Sequence, residues 1–432
     1  MANPNGESEL SLTMKKHPAV IVVGGGAAGI LAALQARRQG ASVRIVEKTD
    51  RLGTKILISG GGKCNVAHDG PLEDVIKAFR PNEARFIRPA CYRLTNQQII
   101  EMFTSRGLEV YTRPNGRVFP VHQTAKDVVA ILEGYLEEAG VEIIRDCAVL
   151  EVISESNQIQ GIRTAQGDMQ TSHLVLSVGG SSYPKTGCTG DGWPWAKALG
   201  HQIVKVRAAL APVYLEMESA DPRAGVSLRD VILKARIQGK EIARWSGDVL
   251  LTHRGLSGPC VLGITRIIAE RFHEGPVTLE ADLEPEKSFE VLSGEIQCWI
   301  QENPKKFILS VLNTNIPERI RENILEFAEI DNQPGRSLSK KLLNRLIENL
   351  KAFPLGTVRT VPLEKGEVVA GGVSLDEVDP QTMRSKICRG LYLCGEILDI
   401  AGPVGGYNLQ AAFATGFVAG ETAGQDALLD RS

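Results

Sequence analysis

Two glycine loops frame an acid near the start of this chain: Gly24-Gly25-Gly26-Ala27-Ala28-Gly29, then Glu47-Lys48, then Ser59-Gly60-Gly61-Gly62-Lys63-Cys64-Asn65. Residue types in this pattern bind a dinucleotide. Gly24 permits a tight turn, Gly26 lets the backbone approach a pyrophosphate, and Gly29 allows close helix-to-strand packing. The helix that opens at Ala27-Ala28 offers free amides and the positive end of its dipole to phosphate. Glu47 accepts hydrogen bonds from ribose hydroxyls and repels a 2′-phosphate, so the pattern expects FAD or NAD rather than NADP.

The elements that must position these loops read directly from the pattern. Val20-Ile21-Val22-Val23 is a buried parallel strand, and Ser42-Val43-Arg44-Ile45-Val46 ends at Glu47. Ala125 to Gly140 is an amphipathic helix stopped by glycine, followed by strands Val141 to Ile144 and Ala148 to Val152; Val149 is counted with the cofactor residues. His173 to Val178 is another apolar strand, ending at Gly179-Gly180, with Asp191 in the glycine-rich turn beyond it. Short strand-like runs begin near Lys205, and helical spacing dominates from Gly258 to about Leu350, interrupted by the strand Val277 to Ala281. The tail repeats the strand-and-glycine pattern of the opening, since Gly390 to Gly395-Glu396 is an apolar strand ending in Gly-acid and Gly405-Gly406-Tyr407-Asn408-Leu409 opens a small-residue helix. Such a closure holds ribityl and pyrophosphate groups and sets a helix dipole beside a flavin, which selects FAD over NAD.

With 432 residues and 43% hydrophobic content the chain can bury more than one core. A net charge of −2 gives no global attraction to nucleic acid or acidic lipid. Eight cysteines without a CxxC pair point to free thiols in a reducing cytoplasm rather than disulfides or a metal site. No apolar run is long enough to span a bilayer, and residues 1–18 read as a polar, disordered tail. The oligomeric state is left open.

Four residues are candidates for catalysis. Cys64 can act as a proton donor or as a small packing residue, and it lacks a neighbouring cysteine for dithiol chemistry. Lys63 can hold negative charge or reach solvent. His253, before the Ser257-Gly258-Pro259 helix start, can be a general acid or a loop residue. The Tyr407 hydroxyl can donate to substrate or pack. Two basic clusters, Lys77 to Arg93 with interleaved aromatics and Arg336 to Lys351, are either solvated faces or an RNA surface.

These motifs, with Gly116-Arg117-Val118-Phe119-Pro120, Thr252-His253-Arg254-Gly255-Leu256-Ser257-Gly258-Pro259, Gly371-Gly372-Val373 and Thr382-Met383-Arg384-Ser385-Lys386, resemble the NAD(P)/FAD-dependent oxidoreductase family, also labelled aminoacetone oxidase-like, which includes bile-acid Δ4,6-reductase-like enzymes. The resemblance implies an α/β fold: a Rossmann-like FAD-binding domain split by an inserted β-rich domain that carries a helical subdomain. The expected limits are 19–204 and 356–432 for the FAD domain, 205–257 and 351–355 for the β-rich domain, and 258–350 for the mainly helical part. It also implies hydride transfer, driven by NAD(P)H, to an activated C=C bond of a small molecule. Flavin-dependent uridine reduction in ribosomal RNA and an oxidase using dioxygen are the alternatives within enzymes. A flavin-bound protein that adheres to RNA or a partner is the non-enzymatic one. Two positions depart from the family pattern: Lys63 stands where many members have Arg, and Ala401 where many have Asp.

Overall fold

The computed structural model describes residues 19–430; the tail expected at 1–18 lies outside them. Its centre is a five-stranded parallel sheet in the order Leu391–Leu393, His173–Leu176, Val20–Val23, Val43–Val46, Glu142–Ile144. All four residues of Val20–Val23 are buried, as a continuous β-branched run in a strand covered on both faces must be. The chain leaves this strand towards Val43–Val46 on one side and later fills the other side with His173–Leu176. That reversal of strand order opens a crevice beyond the strand ends.

Helix Ala27–Arg38 follows the first strand and lies against the closing helix Tyr407–Leu429. The contact is backbone to backbone. A Cβ on Gly416 would sit 2.1 Å from the carbonyl oxygen of Ala28, and one on Gly420 only 1.9 Å from that of Ala32. Small residues on both helices bring the closing helix close enough to the sheet for its first turn to reach the strand ends. Helix Ala125–Ala139 runs as its pattern requires, started by a Thr124–Asp127 capping box and stopped at Gly140 with φ 68°.

The nucleotide domain is interrupted where Ile203–Ala209 pairs antiparallel with Val368–Val373. Between these two strands the chain builds a closed six-stranded barrel, ordered Val213–Leu215, Gly255–Ser257, Lys240–Thr252, Ser227–Ile237, Val277–Asp282, Phe353–Thr360. The barrel and the helices Phe289–Glu302, Glu318–Phe327 and Lys340–Lys351 share a hydrophobic core separate from that of the parallel sheet. Strand Val277–Asp282, inside the 258–350 segment, is a barrel strand, and Phe353–Thr360 carries the barrel past residue 355. Limits drawn at 258, 350 and 355 therefore cut across the barrel, because strand pairing between distant segments leaves no local compositional mark. The Thr252–Pro259 motif closes this barrel: a Cβ on Gly255 would lie 2.0 Å from the Val213 carbonyl oxygen.

Helix Pro81–Arg93 has no counterpart among the elements expected from sequence. Pro89 and many charged residues mask its apolar face of Phe86, Ile87, Ala90 and Cys91. It is charge-locked to helix Pro259–Arg271. The Arg266 guanidinium donates to buried Glu83 at 2.5 Å and to the Ala401 carbonyl at 2.8 Å, and Arg80 pairs with Glu270 at 2.7 Å. Ala401, one of the departures noted above, thus serves this lock through its backbone.

Candidate functional site

A cavity of about 340 Å³ occupies the crevice beyond the parallel strands. At one end, Gly24 takes φ +98°, and a Cβ there would stand 2.7 Å from the Ser177 carbonyl oxygen. A Cβ on Gly29 would lie 1.9 Å from the Gly24 carbonyl oxygen, so this glycine serves packing and does not line the cavity. Gly26 behaves differently: a Cβ built on it meets nothing within 4 Å, and the helix it caps has no side-chain cap. The first-turn amides beside Gly26, Ala27 and Ala28 are open to an anion. Glu47 is pinned at this end, accepting from Gly25 N at 2.7 Å and from Thr49 N at 2.8 Å. Next to it, Lys48 and Asp191 both line the cavity and join each other at 2.5 Å.

The second glycine loop turns sharply, with Gly60 at φ 56° and Gly61 at φ 69°. Ser59, Gly60 and Asn65 line the cavity, whereas Gly61, Gly62, Lys63 and Cys64 are not among its lining residues. Lys63 is exposed. Cys64 is buried, and that burial pushes its thiol up to about 11. Asn65 Oδ1 is buried without a hydrogen-bond partner among the described residues.

Glu396 gathers three segments at the other wall. It accepts from Lys55 Nζ at 2.6 Å, from Val369 N at 3.0 Å and from Gly180 N at 3.3 Å. Gly179 and Gly395 line the cavity beside it, while Gly180 packs behind, where a Cβ would meet the Val369 side chain at 2.6 Å. The opening of the closing helix presents Gly405, Gly406, Asn408 and Leu409 to the cavity. A Cβ on Gly406 would lie 2.4 Å from the Ala67 carbonyl oxygen, so only glycine admits strand Ala67–His68 there. Asn408 holds the preceding loop, accepting from Gly402 N at 2.8 Å and donating to its carbonyl at 3.0 Å. Tyr407 turns away to stack on His68, ring centroids 4.3 Å apart, with its hydroxyl 3.1 Å from His68 Nε2.

Val149 also lines the cavity, and His253 does not: it is exposed at the barrel turn after Thr252. Lys55, Arg117, Tyr183 and Glu367 line the cavity although sequence reasoning did not single them out as site residues. The Gly116–Pro120 motif signalled Arg117. Lys55, Tyr183 and Glu367 lie in no recognised pattern, and only tertiary contacts bring them here. Among the described residues, no helix is long and apolar enough to cross a membrane.

This cavity fits an extended dinucleotide. Open helix amides and a ribose-competent acid stand at one end, a second helix N-terminus at the other, and the second glycine loop contributes an unpartnered buried Asn65 oxygen. The family model of the HI0933-like protein Rossmann domain matches residues 18–422. The 3-dehydro-bile acid delta(4,6)-reductase of Clostridium scindens is 30% identical over 94% of this chain and 98% of its own length. The ribosomal RNA dihydrouridine synthase of Haemophilus influenzae is 28% identical over the same shares. In fold, the chain is similar to the 3-ketosteroid delta1-dehydrogenase of Sterolibacterium denitrificans, with a TM-score of 0.52 and 15% identity over 95% of this chain and 99% of that one. The chain belongs to the HI0933-like Rossmann-domain family and is an FAD-dependent oxidoreductase.

Proposed function

We propose that the protein reduces an activated C=C bond of a small molecule, with NAD(P)H as the electron donor. The observation that carries this reading is one continuous cavity reaching from Gly26 and Glu47 to the junction with the inserted barrel, where Arg117, Tyr183 and Glu367 face it. Bound FAD supplies hydride there. In this reading Gly24, Gly26, Ala27, Ala28 and Glu47 hold the adenosine and pyrophosphate part. Ser59, Gly60, Asn65, Val149, Gly179, Gly395 and the amides at Gly406 to Leu409 hold the ribityl and ring part. Gly29, Gly62, Gly180 and Glu396 shape the walls, and Lys48 with Asp191 clasps the rim. Cys64 keeps its proton and packs. The eight free cysteines suit a reducing compartment.

Uridine in ribosomal RNA is the second substrate class, supported by the name of the Haemophilus influenzae relative. The basic clusters favour it less: Arg80, Arg88, Arg93, Arg345 and Lys351 are all paired with carboxylates, and no member of either cluster lines the cavity. The test is an anaerobic absorbance titration with NADH and NADPH, followed by a conjugated enone, by ribosomal RNA or by air. Bleaching of the flavin band by a nucleotide and its return with the enone is the expected result. Return with RNA alone shifts the substrate class, and fast return in air identifies an oxidase. A protein that cannot be loaded with FAD overturns the reading.

A further inference from the structure

The proposed reduction needs an acid that meets the substrate, and none of Lys63, Cys64, His253 and Tyr407 lines the cavity. The junction between nucleotide domain and barrel supplies one. Glu367 lies just before the returning strand Val368–Val373, at the foot of the insertion. Its backbone is tied on both sides: Glu367 N donates to the Leu210 carbonyl at 3.0 Å, and Ser182 Oγ donates to the Glu367 carbonyl at 3.3 Å. The neighbouring Tyr183 N donates to the Glu364 carbonyl at 3.3 Å. These ties hold Tyr183, Leu210 and Glu367 together on one stretch of cavity wall.

Two of the three are strained. Tyr183 sits at φ 50° and Leu210 at φ 52°, left-handed conformations that bulky side chains rarely adopt. Strain of this kind persists where the surrounding structure enforces it, and it gathers at functional sites. Here it brackets Glu367, an acidic side chain that lines the cavity. Glu367 is exposed and lines the cavity, whose walls still desolvate its carboxyl. Three titratable groups act on it from three different elements: Arg117 from strand Arg117–Pro120, Lys55 from helix Thr54–Ile58, and Tyr183 from its loop.

We infer that Glu367 is the proton donor to the substrate carbon, with the Arg117 guanidinium and the Tyr183 hydroxyl as hydrogen-bond donors to the substrate's carbonyl oxygen. The inference rests on the proposed reduction of an activated C=C bond, and it narrows the substrate class to α,β-unsaturated carbonyl compounds. Hydride brings two electrons to the β carbon, and charge moves to the carbonyl oxygen between the two donors. The O–H bond of the Glu367 carboxyl then breaks as a C–H bond forms at the α carbon. The carboxylate left behind regains a proton from water, so the double bond gains one hydride and one proton. Desolvation by the cavity walls raises this carboxyl above the usual glutamate range, opposed by Arg117 and Lys55, the direction a proton donor needs.

The experiment compares wild type with Glu367→Gln and Glu367→Asp, each loaded with FAD. After anaerobic photoreduction, reoxidation by 2-cyclohexen-1-one should slow about 100-fold in Glu367→Gln, and Glu367→Asp should recover part of the rate. Infrared difference spectra across a pH titration give the independent readout. A protonated-carboxyl band should persist above the ordinary glutamate range in wild type and be missing in Glu367→Gln. Reoxidation of Glu367→Gln at the wild-type rate overturns the assignment, as does a wild-type spectrum without that band. If wild type itself is not reoxidised by the enone, the reaction class fails instead, and the infrared result alone decides whether Glu367 is an acid held in its protonated form.

Discussion

Lys48 Nζ lies 2.5 Å from Asp191 Oδ2, a contact across 143 residues of sequence that joins the end of the second strand to the glycine-rich turn after Gly187. Both side chains line the cavity, and Thr189 Oγ1 accepts from the same ammonium at 2.6 Å. Each is partly open to solvent, so the pair is worth about 0–1 kcal/mol to the fold. Its position at the rim gives it more weight in cofactor retention. Asp191→Asn should leave the melting temperature nearly unchanged and speed FAD release several-fold, more so at low salt, as read by flavin fluorescence after dilution.

Glu47 is held by Gly25 N and Thr49 N while facing the cavity. Glu47→Ala removes a charged acceptor from the glycine turn and, in the proposed binding mode, from the ribose. Hydrogen bonds to charged groups contribute about 1.5–3 kcal/mol, so the FAD dissociation constant should rise roughly ten- to a hundredfold. Equilibrium titration of apoprotein with FAD measures this, and unchanged affinity would remove Glu47 from the site.

The buried Cys64 thiol, pushed up to about 11, is protonated at neutral pH. At pH 8 only about one molecule in a thousand carries the thiolate, so iodoacetamide should label exposed Cys298 and spare Cys64. The sign for stability follows from the raised value. The folded state keeps the proton that the unfolded thiol loses near 9, so this contribution is complete below about pH 9 and is lost as pH rises towards 11. Cys64→Ser should flatten that alkaline decline in chemical denaturation, with flavin reduction by nicotinamide intact.

Gly420 leaves no room for a side chain against Ala32. Gly420→Ala should destabilise the protein by about 1–3 kcal/mol through overpacking, despite alanine's better helix propensity. Differential scanning calorimetry would show the loss. A stabilised variant would mean that the two helices can separate freely.

Glu83 is buried and Arg266 partly buried at the contact between helices Pro259–Arg271 and Pro81–Arg93. Glu83→Ala leaves the guanidinium with Glu270 and the Ala401 carbonyl as its remaining partners, so a loss of about 1–3 kcal/mol is expected. Arg266→Met with Glu83→Leu should restore most of it, and urea denaturation of the single and double variants decides the matter.

The parts of the site that were legible in the sequence are those whose geometry is local. Gly24 and Gly26 line the cavity within one turn, Gly29 packs behind them, and Glu47 follows the next strand, so their places follow from spacing alone. Lys55 owes its place to Glu396, 341 residues away, and Glu367 owes its place to Leu210 across the neck of the insertion. No local pattern encodes such pairings. The split domain was readable because apolar strand-glycine segments recur at both ends of the chain. The barrel limits were not, because strand Val277–Asp282 looks like any short apolar run until its neighbours on either side are known. Helix Pro81–Arg93 was hidden by its own charges, which the fold uses in ion pairs with Glu73, Arg266 and Glu421.

The antiparallel pairing of Ala209 with Val368 holds the two stems of the insertion side by side. To the parallel sheet, everything between them is a single closed loop. Loop-closure entropy grows only slowly with length, so the size of that loop costs the sheet little. The barrel can therefore be enlarged, trimmed or exchanged over evolutionary time while the nucleotide crevice stays as it is. Because Leu210 and Glu367 stand at the stems rather than in the barrel itself, such an exchange would change which molecules reach the cavity and leave the groups that meet them in place.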